Sequence, residues 1–496
     1  MTATTAGVSI EFDNSYARLS DDFHQKLAPT PVSQPELITV NDSLAEFLGL
    51  NPAELKSEEG INILAGNAIA TGSEPLAMAY AGHQFGNWVP QLGDGRALLL
   101  GEVIAQDDNR YDIQLKGAGR TPFSRGGDGR NWIGPVLREY IVSEAMAALG
   151  VPTTRALAAV TTGDAIMREN GAMPGAILTR VARSHIRVGT FQYFAARENT
   201  AAIGQLIEHV NARHYPENIG AENAAVALLR SVINAQAALV AHWQSIGFIH
   251  GVMNTDNSSV SGDTIDYGPC AFMDTYAADK VFSSIDRGAR YAYQNQPRIA
   301  QWNLVNLAQC LLPLMHENQE DAVEIAQETI NTFDEKFIQH YLGRMRGKLG
   351  LLDEQDDDLA LASSLLDTMA KQELDFTLTF RQLAYRDPSD KFAPGGSLHD
   401  WQLRWASRIE AGTGFIPGTD ELTDNVVLMR RCNPSIIPRN HQVEAVIEAA
   451  VHGRNFEPFH KLLEAVTKPF DESHDGAPFA TPPTENEIVT QTFCGT

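Results

Sequence analysis

One short stretch of this chain carries residue types at a spacing that suits phosphate chemistry. His250-Gly251-Val252-Met253-Asn254-Thr255-Asp256-Asn257 is followed by Asp266-Tyr267-Gly268. Asn257 and Asp266 offer an amide oxygen and a carboxylate, the hard donors that Mg2+ takes together with phosphate oxygens, with Mn2+ as the alternative. Asp256 places a second carboxylate immediately before Asn257. An Asp-Tyr-Gly tripeptide alone would mean little. Its pairing with a polar loop at a fixed His-to-Asn interval gives it weight.

Basic residues gather in three segments upstream. Lys116 ends an alternating stretch and precedes Glu139 by 23 positions, a spacing suited to a strand lysine paired with a helix glutamate. The phase of that helix does not choose the carboxylate: Val136–Leu149 is apolar nearly all round, and Glu144 fits as well as Glu139. A buried carboxylate in either place requires a partner. The segment from Lys116 to Arg130 is rich in Gly and Arg and contains Asp128-Gly129; Gly93-Asp94-Gly95-Arg96 precedes it. Glycines let a backbone approach phosphate closely, and arginines bind phosphate in two-point fashion. Arg180, Arg183, His185 and Arg187 form the third cluster.

These residues need scaffolding, and the pattern supplies it. Arg96–Val103 and Tyr111–Lys116 alternate like two strands joined by a turn at 106–109. Val136–Leu149 reads as a helix closed by Gly150 and Pro152. Further helices are expected at Glu222–Ile246, Trp302–Glu317, Asp321–Leu342, Leu359–Glu373 and His441–Val451, with a strand-like piece at Phe248–His250. The acidic run 353–358 reads as a solvated loop, and Cys310 and Cys432 as small buried hydrophobes. The fold class is α+β: a small sheet-bearing lobe followed by a large, mainly helical one, the outline of a protein-kinase-like bilobal fold. The expected divisions are an extension at 1–80, an N-lobe at 81–190, a helical C-lobe at 191–470 and a tail at 471–496.

Composition narrows the function. With 62 Asp+Glu against 38 Lys+Arg, the net charge is −24, which argues against nucleic acid and anionic membrane surfaces as partners. The N-terminus lacks a basic and apolar leader pattern, and the four cysteines have no zinc spacing. The expectation is a soluble, cytoplasmic monomer whose few cationic segments gather one small polyanion.

In protein kinases a loop H-R-D-L-x-x-x-N and a later D-F-G hold the metals on ATP. Asn257 stands at the same interval from His250, and Asp266 stands for the D-F-G aspartate. The kinase base position, two after the His, is Val252 here, so the base has either moved to Asp256 or is absent.

The stretches Gly82–Trp88, Gln91–Arg96, Gln114–Arg130, Asn254–Asn257 and Ile265–Asp274 together resemble the selenoprotein O family, called YdiU in bacteria, and the similarity runs over essentially the whole chain. The resemblance implies a pseudokinase-fold protein adenylyltransferase that binds ATP end for end and moves AMP to Ser, Thr or Tyr hydroxyls of proteins. It implies that Lys116 with Glu139 holds phosphates and that Gly93, Gly95, Arg96, Asp128, Gly129, Arg180 and Arg187 line the ATP site. It further implies that Asn257 and Asp266 bind Mg2+ and that Asp256 accepts the proton. Cys494, near the end as the selenocysteine of some members is, would pair with Cys270 as a redox switch; redox proteins as substrates follow from the same resemblance. This chain departs at Ser258, where members commonly carry Met. A phosphotransferase with a displaced base, or a non-catalytic ATP-binding scaffold, are the competing functions.

Overall fold

The computed structural model describes residues 5–169, 171–385, 395–396, 398–413 and 423–492. An eight-stranded antiparallel sheet consists of β1 (His24–Lys26), β2 (Glu36–Val40), β3 (Leu76–Met78), β4 (Ala97–Ile104), β5 (Arg110–Lys116), β6 (Asn131–Trp132), β7 (Arg155–Arg168) and β8 (Gly171–Ala182). The spatial order is β1-β3-β4-β5-β8-β7-β2, with β6 paired to β8. The β4–β5 hairpin forms where alternation placed it. The segment before residue 81, expected as an extension, is woven into this sheet and supplies both outermost strands of the path, β1 and β2.

Helix α1 (Ile133–Ala148) lies across β7 and β8. A helix with apolar residues on every side must be covered on every side. The sheet covers one face through Ala156, Ala159, Ala176 and Leu178, and two helices from far along the chain, Asn440–Gly453 and Glu457–Val466, cover another through Val443, Ile447, Phe459 and Leu462.

The remaining chain is largely helical. After α2 (Val188–Ala195) and α3 (Thr200–His214) comes α4 (Ala224–Ser245), whose Leu228, Leu229, Val232, Ile233, Ala237 and Val240 sit at the centre of the largest core. By length and hydropathy α4 could cross a membrane, but it spends its apolar surface inside the protein. It packs on α5 (Gln296–Met315). The helix expected over Asp321–Leu342 is instead two, α6 (Gln319–Ile330) and α7 (Phe333–Leu349). At the break Thr329 Oγ1 donates to the Ile325 carbonyl and Thr332 Oγ1 to the Thr329 carbonyl, hydroxyl bonds that compete with helix propagation. The acidic run is only partly a solvated loop: Asp358 is buried, with Arg346 Nε at 2.7 Å and Arg408 Nε at 2.8 Å. Cys310 is buried as expected, whereas Cys432 is half-buried.

Candidate active site

The floor of the site follows from strand periodicity. Lys116 on β5 lies opposite Leu178 on β8, and Gln114 opposite Arg180. Residues two apart on a strand share a face, so Gln114, Lys116 and Arg180 project together toward α1. There Glu139 meets them: its Oε2 is 2.6 Å from Lys116 Nζ and its Oε1 3.2 Å from Arg180 Nη1. Glu144, the alternative that helix phase left open, faces Arg155 and Asn41 instead, at 2.7 and 2.8 Å. Gln114 Oε1 holds the Arg180 guanidinium from behind at 2.6 Å.

Asp266 closes the cluster. Its Oδ1 lies 2.8 Å from both Lys116 Nζ and Arg180 Nη1, and its Oδ2 is 3.5 Å from Arg187 Nη2. Arg187 also faces Asp94 at 3.5 Å and stacks on Tyr80. Burial alone would raise the Asp266 carboxyl, but Lys116, Arg180 and Arg187 outweigh it and hold the group well below the usual carboxylate range. Asp266 sits at φ 65°, in the left-handed region that a non-glycine residue occupies at a cost.

The polar loop hangs between two short paired strands, Phe248–Ile249 and Ala271–Phe272. His250 is fully buried, stacked on Trp243, with Nε2 2.8 Å from the Ile265 carbonyl. It is a strut that ties the two ends of the loop together. Gly251 turns the chain at φ 79°, where an added Cβ would lie 2.8 Å from the Pro269 carbonyl oxygen. Thr255–Asn257 is a single 3-10 turn. Asn257 donates its amide nitrogen to the Val252 carbonyl at 3.0 Å, so the amide oxygen is the atom that could hold a cation. Ser258 is buried, and its carbonyl accepts from Val188 N at 2.9 Å.

Asp256 is buried beside them. Gln84 Nε2 donates to Oδ2 at 3.0 Å, while Oδ1 has no hydrogen-bond partner. Burial pushes this carboxyl up to about 6, against the opposing hydrogen bond from Gln84.

The roof is the Gly/Arg segment. Gly93 runs at φ 78° with the Phe123 ring 2.3 Å from where a Cβ would stand, and a Cβ at Gly95 would lie 2.9 Å from the Phe123 carbonyl oxygen, so glycine suits this packing at both positions. Asp128 is exposed and pairs with Arg168 at 2.8 Å, and Gly129 crosses the Gly119 carbonyl too closely for any side chain. Arg130 spends its guanidinium on the Thr30 and Pro31 carbonyls at 3.1 and 3.0 Å.

These surfaces enclose a cleft of about 650 Å³. Gly93, Gly95, Arg96, Lys116, Asp128, Gly129, Glu139, Arg180, Arg187, Asp256, Asn257 and Asp266 all line it, as does Val252. Sequence reasoning did not single out Tyr80, Gln84, Gln114 or Arg168 as site residues. For Gln114 the signal was available, since it shares the β5 face with Lys116; for Arg168, far along β7, there was none. Cys270 is buried outside the lining of the cleft, and Cys494 lies outside the described residues.

Among the described residues no group of three or more His, Cys, Asp or Glu is arranged to hold a metal by itself. The Asn257–Asp266 pair is of another kind. An amide and a carboxylate oxygen, with phosphate oxygens completing the shell, fit Mg2+.

A cleft roofed by glycine turns and floored by a Lys–Glu pair, two buried arginines and an Asn/Asp donor pair is that of a nucleotide-using transferase. The family model described as protein adenylyltransferase SelO matches residues 7–467. A relative in Bradyrhizobium diazoefficiens, named protein nucleotidyltransferase YdiU, is 56% identical over 496 residues, covering 99% of this chain and 100% of its own. A second, of the same name in Rhodopseudomonas palustris strain BisB5, is 55% identical over 497 residues with the same coverage. The chain belongs to the SelO family of nucleotidyltransferase enzymes.

Proposed function

We propose that this protein transfers AMP from ATP to Ser, Thr or Tyr hydroxyls of other proteins and releases pyrophosphate, on a kinase-like bilobal scaffold. The strand lysine joined to a helix glutamate, and the His-to-Asn loop followed by Asp-Tyr-Gly, support that scaffold. The observation that carries the reaction is the pair of fully buried guanidiniums, Arg180 and Arg187, beside Lys116 and Asp266. A kinase site needs its terminal phosphate at the acceptor. Here the cations gather in the floor of the cleft, where they would bind the polyphosphate end and leave the α-phosphorus to face the acceptor.

In this reading Lys116, Arg180 and Arg187 hold the β- and γ-phosphates, and Glu139 keeps Lys116 aimed. Asn257 and Asp266 would hold Mg2+, which when bound neutralises phosphate charge and polarises the α-phosphorus. Val252 leaves the kinase base position without a carboxylate. Asp256 takes the proton of the attacking hydroxyl as the new O–P bond forms; the bond from the α-phosphorus to the bridging oxygen breaks, and pyrophosphate leaves with that electron pair.

ATP labelled on the α- or the γ-phosphate tests the assignment, with self-modification as a first readout. Incorporation of α-label and release of pyrophosphate is expected. Transfer of γ-label would make the protein a kinase, and transfer of neither a scaffold.

We further propose the Cys270–Cys494 pair as a redox switch on this activity. Its support is that Thr492 Oγ1 donates to the Pro269 carbonyl at 2.6 Å, which brings the chain two residues before Cys494 to the neighbour of Cys270. Thiol counts with and without reductant, on wild type and Cys494→Ser, are expected to differ by two thiols in wild type alone.

A further inference from the structure

We propose that Gln84 is a positioning residue for the transfer reaction: its amide holds Asp256 Oδ2 and so fixes the carboxylate of the proton acceptor at the wall of the cleft. The inference rests on the reading of Asp256 as proton acceptor.

The geometry begins with a small hairpin, Gly82–Gln84 paired to Asn87–Val89. Its turn residues Phe85 and Gly86 both have positive φ, 51° and 83°, the form that matches the twist of a two-residue hairpin. Three bonds pin one edge of it to three successive residues of the polar loop. Phe85 N donates to Asn254 Oδ1 at 3.0 Å, His83 N to Thr255 Oγ1 at 2.7 Å, and Gln84 Nε2 to Asp256 Oδ2 at 3.0 Å. At Gly82 a Cβ would stand 2.6 Å from Asp256 Oδ1, so the backbone itself lies against the carboxylate.

The hairpin is anchored from behind as well. The His83 ring packs against Trp88 and Trp302, and its Nδ1 is 2.9 Å from Gln192 Nε2. Gln84 therefore springs from a fixed backbone. A carboxylate can only accept, so the atom of Gln84 facing it is the amide nitrogen.

Without that donor, rotation about the terminal torsion of Asp256 would exchange its two oxygens. With it, Oδ2 is engaged and Oδ1 is not, although both belong to a buried group. Gln84, Asp256 and Asn257 line the same cleft, so the Gln84 bond sets the carboxylate at the edge of the space an acceptor would enter, while Oδ1 is closed off against the Gly82 backbone.

The test uses the full-length protein and two near-isosteric variants, Gln84→Met, which removes the donor, and Gln84→Glu, which replaces it with a second acceptor. Each is expected to lower kcat by about 10- to 100-fold, the usual cost of losing a group that orients a reacting one. KM for ATP is expected to stay within about twofold, because no phosphate contact is touched. A kcat within about twofold of wild type in either folded variant overturns the inference, and so does a loss that appears in KM for ATP alone. Asp256→Asn, assayed in parallel, separates the two readings. If that variant keeps full activity, Asp256 is not the acceptor and the parent reading fails. If it is inactive while the Gln84 variants are unimpaired, only the role of Gln84 falls.

Discussion

The two ends of the β4–β5 hairpin each bury a cluster of charges, and the clusters differ in a way that separates structure from function. At the far end Glu102 and Asp112 lie directly opposite each other, a like-charged pair that would be destabilising if left alone. Arg213 from α3 bridges them at 3.1 and 2.6 Å. Ser15 Oγ and Tyr16 N take up Glu102, and His185 N and Nδ1 take up the second oxygen of Asp112. Every carboxylate oxygen there is engaged, and none of these groups lines the cleft. At the near end Asp266 keeps 23% of its side chain exposed, Asp256 Oδ1 has no partner, and the whole cluster borders open volume. Buried charge is common to both. A border on open volume belongs to one.

The sharpest way to break this comparison is to neutralise one member of each cluster. Asp266→Asn is expected to abolish AMP transfer, by about 10³-fold or more, because it removes both the carboxylate proposed to hold Mg2+ and the counter-charge that orders Lys116 and Arg180. Circular dichroism should show the fold retained. Arg213→Met should do the reverse. Stranding Glu102 and Asp112 without their cation costs about 3–5 kcal/mol of stability, read by denaturant unfolding, while kcat of the folded fraction stays within about twofold. An Arg213 variant that folds normally but cannot transfer AMP would refute the distinction.

Acid titration sharpens it next. Burial opposes ionisation of Asp112, but Arg213 and His185 hold its carboxyl far below the ordinary range. A depressed folded-state value means stability present above the unfolded value near 4 and lost as the pH falls below it. Glu102 works in the opposite sense. Burial raises it, so the folded state takes up that proton first and offsets part of the loss. Stability should therefore fall below about pH 4, and Arg213→Met should flatten that fall, as followed by urea unfolding between about pH 5 and 2.5.

How far either cluster could be read from the sequence depends on the range of its contacts. Alternation placed β4 and β5, and with them Lys116, because that information is local. The choice between Glu139 and Glu144 was not local. α1 is buried on all sides, and only its partners elsewhere in the fold, Arg155 and Asn41, show that Glu144 is already committed. The paired β7 and β8 were illegible as strands because Ala-rich runs such as Leu157-Ala158-Ala159 lack alternation, although the Asn170-Gly171 dipeptide carried a hairpin signal. The Arg213 bridge joins residues 101 and 111 positions apart, and nothing near Arg213 announces it. The kinase-like interval singled out Asn257 and Asp266, while the Gln84 bond to Asp256 appeared only in three dimensions.

Gly82 offers a smaller test on the near end. A Cβ there would stand 2.6 Å from Asp256 Oδ1 and 2.9 Å from its Cβ, so Gly82→Ala must displace that side chain. Transfer is expected to slow by about tenfold with ATP affinity unchanged, since misplacing a reacting group by a fraction of an ångström is felt in kcat. The same substitution at Gly343, on α7 with nothing within 4 Å, leaves activity at the wild-type level.

The smallest effect is expected where charge is neither buried nor idle. Asp128 and Arg168 pair at 2.8 Å across the mouth of the cleft, with 48% of the Asp128 side chain exposed. Solvent screening limits such a pair to at most about 1 kcal/mol, so Arg168→Ala should hardly move the unfolding midpoint. Arg168 Nη2 also donates to the Arg130 carbonyl at 2.9 Å, however, which ties β7 to the glycine turn at 128–130. If Asp128 and Gly129 contact the nucleotide, loosening that tie should raise KM for ATP by about two- to fivefold at constant kcat, the signature of binding lost equally from ground and transition states. A variant with unchanged KM would mean that this pair, like the far end of the hairpin, serves the fold alone.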